Sequence, residues 1–140
     1  VSMIDMVIVD TNGPAMHEIT PSLARFVSGQ KDGVLTAMIR HTSASLLIQE
    51  NADPDVQRDL LGWLDRTAPQ ADTDAMSWIT HRSEGPDDMP AHIKAAILPV
   101  SLSVPVRAGR LLLGRWQGIY LVEHRTAPHR REVALAFTRA

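Results

Sequence analysis

The sequence predicts an α+β fold in a single domain spanning residues 1–140, and three observations carry that expectation. A chain of 140 residues suits one domain and can bury a core without staples. Its apolar, β-branched runs are interrupted by two or three helical patterns in mixed order, with hairpin signals rather than regular strand–helix–strand alternation. The composition, 44% hydrophobic and 21% charged with a mean hydropathy of -0.08, is that of an ordinary globular protein. No internal repeat, low-complexity segment or linker divides the chain.

Residues 4–9 are mostly apolar and β-branched and lead into Asn12-Gly13-Pro14, so an opening strand ends near Asp10. Thr20 precedes Pro21, and Leu23, Ala24, Phe26 and Val27 run to Gly29, which gives a short helix with a cap, an early proline and a glycine stop. Residues 33–50 read as strand with a bend at Thr42 to Ser45. Asp53 caps a second helix that starts with Pro54, and Val56, Leu60, Trp63 and Leu64 form its apolar face. Pro69 closes it, and residues 70–77 read as a polar surface loop. A short helix is expected to enter at Met89-Pro90, with Asp88 as its cap, and to finish before Pro99. Residues 101–106 and 111–113 flank the Arg107-Ala108-Gly109-Arg110 turn as a hairpin, with Pro105 at an edge or bulge. Strands over 116–125 and 132–138 complete the chain.

Several function classes are excluded by composition. With no cysteine, disulfides, thiolate catalysis and Cys-ligated zinc are impossible, which leaves His, Asp and Glu as the strong metal ligands. A formal charge of -2 and a pI near 6.3 provide no general pull toward nucleic acid or an anionic membrane. No apolar run approaches the ~20 residues of a membrane span, and no basic region precedes the first apolar stretch. A cytoplasmic protein is the expectation. The phosphate loop, the dinucleotide fingerprint, the HExxH zinc motif and the GxSxG nucleophile elbow are all missing.

Reactive groups concentrate in residues 81–94, where two histidines, three carboxylates and a lysine surround Gly85-Pro86 and Pro90. Those breakers hold polar side chains on a loop, as a metal or phosphate site needs, although a solvated acidic turn with a helix cap uses the same residues. His81, His92 and His124 are the grouped metal ligands, and Asp87, Asp88 and Glu123 are carboxylates able to orient or join them. Strand alternation sends Glu123 and His124 to opposite faces unless the strand bulges. His41 is followed by the small hydroxyls Thr42, Ser43 and Ser45, which can serve an anion or merely fit a half-buried strand. Lys94, Arg115 and Arg125 are further anion contacts or solvated charges.

Three longer strings, HTSASLLIQENADPDVQRDL (41–60), EGPDDMPAHIK (84–94) and GRLLLGRWQGIYLVEHR (109–125), resemble in order those of the YjbQ-like family, also called the secondary thiamine-phosphate synthase family. The chain departs from them at Arg115, where a small residue is usual, and at Val122, where Cys is frequent. The resemblance implies an antiparallel β-sandwich-like core with two or three helices packed on one side, assembled as a homotrimer. It also implies thiamine-phosphate synthase activity, joining a pyrimidine methyl diphosphate to a thiazole phosphate with release of diphosphate.

The expectation that follows is a metal-assisted enzyme acting on a small phosphorylated molecule. A divalent ion, zinc or magnesium, would sit on His81, His92 and His124. Lys94, Arg125, Thr42, Ser43 and Ser45 would hold the anion, with Asp88 or Glu123 as orienting group or base and His41 as the alternative acid or base. A metal-dependent phosphohydrolase and a non-catalytic trimeric module that binds a small anion or a metal are the competing expectations.

Overall fold

The structure is a computed structural model, and it describes residues 2–140. Among the described residues, eight strands form two antiparallel sheets, joined by three α-helices. The larger sheet has the order β1 (Ser2–Asn12), β8 (Pro128–Arg139), β3 (Gly33–Ile39), β5 (Ser101–Arg107) and β6 (Arg110–Leu111). The smaller has β7 (Gln117–Glu123) at its centre, between β2 (Ala15–Glu18) and β4 (Ala44–Glu50). The bend expected after β3 moves the chain from one sheet to the other, so the single predicted strand region serves both layers of the sandwich.

Strand alternation explains how the layers close. Leu35, Ala37 and Ile39 of β3 and Val133, Leu135 and Phe137 of β8 face Leu46, Ile119 and Leu121 across one core. Helix α1 (Thr20–Val27) adds Leu23 and Val27 to that core. The opposite face of the smaller sheet carries Tyr120 and Val122, which pack on Leu64 of α2 (Pro54–Thr67) and on Leu98, the residue after α3 (Asp88–Ile97).

Three local expectations change. Ile19, not Thr20, occupies the N-cap of α1, and the Thr20 hydroxyl instead bonds Glu18 and accepts the Ile119 N–H. The segment 70–77 lies at the surface but is not a plain loop, since it contains a 3-10 turn at Asp74–Met76 and is anchored by Ala71 and Met76, which are buried with Ile79 against Met89 and Ile93 of α3. The Arg82 guanidinium secures it by donating to the carbonyls of Ile79, Ala71 and Met76. The third change is that Asp88 does not cap α3 but is its first residue, with Asp87 at the N-cap position. Among the described residues no helix is long and apolar enough to cross a membrane.

Candidate metal site

Gly85 has φ +99, a conformation that favours glycine, and with Pro86 it turns the chain sharply into α3. That turn brings His81 and Glu84 back over the first turns of the helix. Asp88 and His92 are four residues apart on α3, so they share one face. One donor atom from each of His81, Glu84, Asp88 and His92 lies within 4.8 Å of the others. Asp88 Oδ2 is 2.7 Å from His81 Nε2 and 3.3 Å from His92 Nε2, and Glu84 Oε2 is 3.7 Å from His81 Nε2.

The supports of this cluster are as specific as its members. His92 Nδ1–H donates to the Thr42 carbonyl at 3.0 Å, which orients the ring and turns Nε2 toward Asp88. Asp88 is buried, and its second oxygen meets Arg125 Nη1 at 2.8 Å. Burial opposes the charge on Asp88, but His81, Glu84 and Arg125 together keep its carboxyl below the ordinary range. Asp87 is held down to about 2: burial acts against ionisation and is outweighed by hydrogen bonds from the Arg125 side chain and from the Thr126 N–H and hydroxyl. These bonds with Asp87 in turn raise the Arg125 guanidinium above its usual value, against its burial. Arg125 therefore braces the start of α3. A cleft of about 580 Å³, lined by Met38, Ile39, His41, Thr42, His92 and Ala95 among others, opens beside His92.

The remaining sequence-predicted residues are not gathered here. His124 does not join the cluster. Alternation places it on the helix side of the smaller sheet, where it is buried with Nε2 2.9 Å from Ser45 Oγ. Burial first and the Lys94 charge second lower its pKa to about 4. Glu123 points the other way, between the sheets, and is fully buried. It accepts from Arg131, from the Thr11 hydroxyl and from the backbone N–H groups of His124 and Arg125, so it has no spare capacity to act as a base. Burial works against its charge too, but Arg131 and the other donors lower its pKa.

His41 Nε2 accepts the Glu132 N–H at 2.8 Å, and burial followed by Arg131 lowers its pKa, so its ring is a neutral support. Ser43 Oγ accepts from Arg131, while Lys94 pairs with Asp65 away from the cluster. The hydroxyls and cations expected to share one anion are thus dispersed over three places. Sequence reasoning missed Glu84, Asp65 and Arg131. The spacing of three, four and four residues along His81-Glu84-Asp88-His92 is a signal that could have found the first.

A family model described as "UPF0047 protein YjbQ-like" matches residues 5–140. The UPF0047 protein of Synechocystis sp. is 45% identical over 131 residues, covering 92% of this chain and 86% of its own. That of Salmonella typhimurium is 47% identical over 112 residues, 78% of each chain. A conserved hypothetical protein of Thermus thermophilus, known by crystal structure, superposes with a TM-score of 0.83 at 33% identity, covering 96% of this chain and 99% of that one. A Sulfolobus solfataricus structure at 21% identity and TM-score 0.80, which covers all of both chains, shares the fold and is described as a protein of unknown function. None of these relatives is named for an activity. The expectation of thiamine-phosphate synthesis, and that of metal-dependent catalysis on a phosphorylated molecule by synthase or phosphohydrolase, is therefore withdrawn. What the match over residues 5–140 and these relatives do establish is that the chain belongs to the UPF0047 YjbQ-like family.

Proposed function

We propose that the protein binds a divalent metal ion through His81, Asp88 and His92, with Glu84 as fourth ligand. The observation that carries this reading is the His92 ring, whose Nδ1–H is committed to a backbone carbonyl while Nε2 faces a buried carboxylate. Metal-binding histidines are oriented in this way. Two imidazoles and two carboxylates suit zinc better than magnesium, which prefers an oxygen shell and keeps its waters. Metal analysis of chelator-free protein should give close to one zinc per chain. His92→Ala should weaken zinc binding by more than the roughly 10–100-fold typical of losing a supporting partner. Zinc that fails to bind the native chain, or binds equally well to His92→Ala and His81→Ala, overturns the assignment.

We also propose that copies of the chain associate through the outer face of the larger sheet. Ile4, Met6 and Ile8 of β1 and Val34 and Met38 of β3 are exposed there. The register sets Met6 beside Ala134 and Ala134 beside Met38, so the apolar strip runs across three strands. An apolar patch of this continuity favours a protein partner, and the family resemblance favours three copies.

A further inference from the structure

Lys94 lies two residues beyond His92 on α3, about 200° around the helix from the metal cluster. Its side chain is 4% exposed, whereas that of its partner Asp65, 2.7 Å away on α2, is 67% exposed. An ammonium has three N–H donors. Among the described residues Asp65 supplies the one acceptor, and a buried charge with most of its donors unmatched is costly. The pair borders a cavity of about 370 Å³ that is also lined by Gln70, Thr73, His124 and Thr126. Lys94 is thus a buried cation at the wall of a cavity, facing a counter-ion that remains open to water.

We propose that this cavity binds a small zwitterion, a molecule that carries a carboxylate and an ammonium group close together, as a free amino acid does. The ligand carboxylate takes the unmatched donors of Lys94, and its ammonium takes the accessible carboxylate of Asp65. The existing pair need not separate, because each partner keeps its present bond and gains one. Charge balance selects this class over a simple anion. Lys94 and Asp65 cancel, and His124 is neutral near pH 7, since burial and the Lys94 charge lower its pKa to about 4. A lone carboxylate or phosphate would add negative charge beside Asp65, and a lone amine would add positive charge beside Lys94. The hydroxyls of Thr73 and Thr126, whose hydrogens go to the Gln70 carbonyl and to Asp87, can accept from donors on the rest of the ligand, and the Gln70 amide can donate or accept.

The test is calorimetric titration of the full chain with each proteinogenic amino acid, with acetate and methylammonium as half-ligands. At least one amino acid should bind saturably at one site per chain, and both half-ligands should bind at least about tenfold more weakly. Asp65→Asn should weaken the amino acid about tenfold or more and bring its affinity toward that of acetate. Asp65→Asn keeps an oxygen acceptor for Lys94 but removes its counter-charge, so this variant should fold with a lowered melting temperature even if Lys94→Met does not fold, and it is titrated well below that temperature. Zinc binding by Asp65→Asn should match that of the native chain. Absence of binding by every amino acid overturns the proposal, as does acetate binding as tightly as the best of them. An affinity unchanged by Asp65→Asn overturns it equally.

Discussion

Glu123 is fully buried between the sheets, and two contacts from Arg131, 2.7 and 2.5 Å long, neutralise it there. Arg131 is itself buried and reaches across to Ser43, so one ion pair ties β8, β7 and the start of β4. Removing the cation strands a carboxylate without its counter-charge, which costs more than the pair contributes when intact. Arg131→Met should therefore lower unfolding stability by about 3–5 kcal/mol, read from urea denaturation, whereas loss of an exposed pair such as Arg130–Asp10 should cost no more than ~1 kcal/mol. Equal effects would remove the special role given to this pair. His124 supplies a pH dependence. Its unfolded value is 6.5 and its folded value about 4, so between them the unfolded chain binds more protons. The stability is complete above about pH 6.5 and declines as pH falls toward 4, by on the order of 3 kcal/mol. Asp87 adds a separate loss in more acid solution, between 3.8 and about 2. His124→Gln should flatten the decline between pH 6.5 and 4.5, and an unchanged slope would assign it to other groups.

Helix α3 separates two chemistries by its period. Asp88 and His92 face the His81 loop, and Lys94 faces α2. The strands do the same with period two, because Ile119, Leu121 and Glu123 look between the sheets while Tyr120 and Val122 look toward the helices. At the start of β3 the packing leaves no room for a side chain. A Cβ on Gly33 would meet the Thr138 carbonyl and lie 2.6 Å from Phe137 Cζ. Gly33→Ala should cost about 1–3 kcal/mol through overpacking of the β3–β8 pairing, seen as a lower melting temperature. A neutral substitution would mean that β8 yields at its end. The Asp53 cap of α2 was legible because it is local, and Asp53 does accept the Asp55 N–H, whereas of the expected apolar face only Leu64 is buried and Trp63 is left 53% exposed. The burial of Ala71, Met76 and Ile79 was not legible, since it depends on Arg82 and on two α3 side chains that arrive later in the chain.

Across the molecule, the outer face of the larger sheet leaves Ile4 75% and Met38 51% exposed. Association through this face predicts that Met6→Lys or Ile8→Lys shifts the native oligomer toward monomer in light scattering, with little change in the core, because both side chains point away from it. A native chain that is already monomeric at all concentrations would sink the proposed interface. The metal cluster and the Lys94 cavity involve none of these outward-facing residues, so monomeric variants should still bind zinc.

Local sequence was enough to set the mixed class of the fold, the Asp53 cap of α2, the prolines and glycines that punctuate the helices, and the dense stretch 81–94 from which the candidate ligands come. These follow from neighbours in the chain, through alternation, helical spacing and the backbone limits of proline and glycine. Which of the reactive groups that lie far apart in the chain meet was set by packing. His124 and Glu123 are adjacent in sequence yet face opposite layers, and Lys94, two residues from His92, belongs to a different cavity. Glu84 enters the cluster because Gly85 turns the chain back over α3. The placements of His124, Glu123 and Lys94 depend on how strands and helices pack across long separations in the chain and have no local signature, whereas the spacing of His81, Glu84, Asp88 and His92 is a local one.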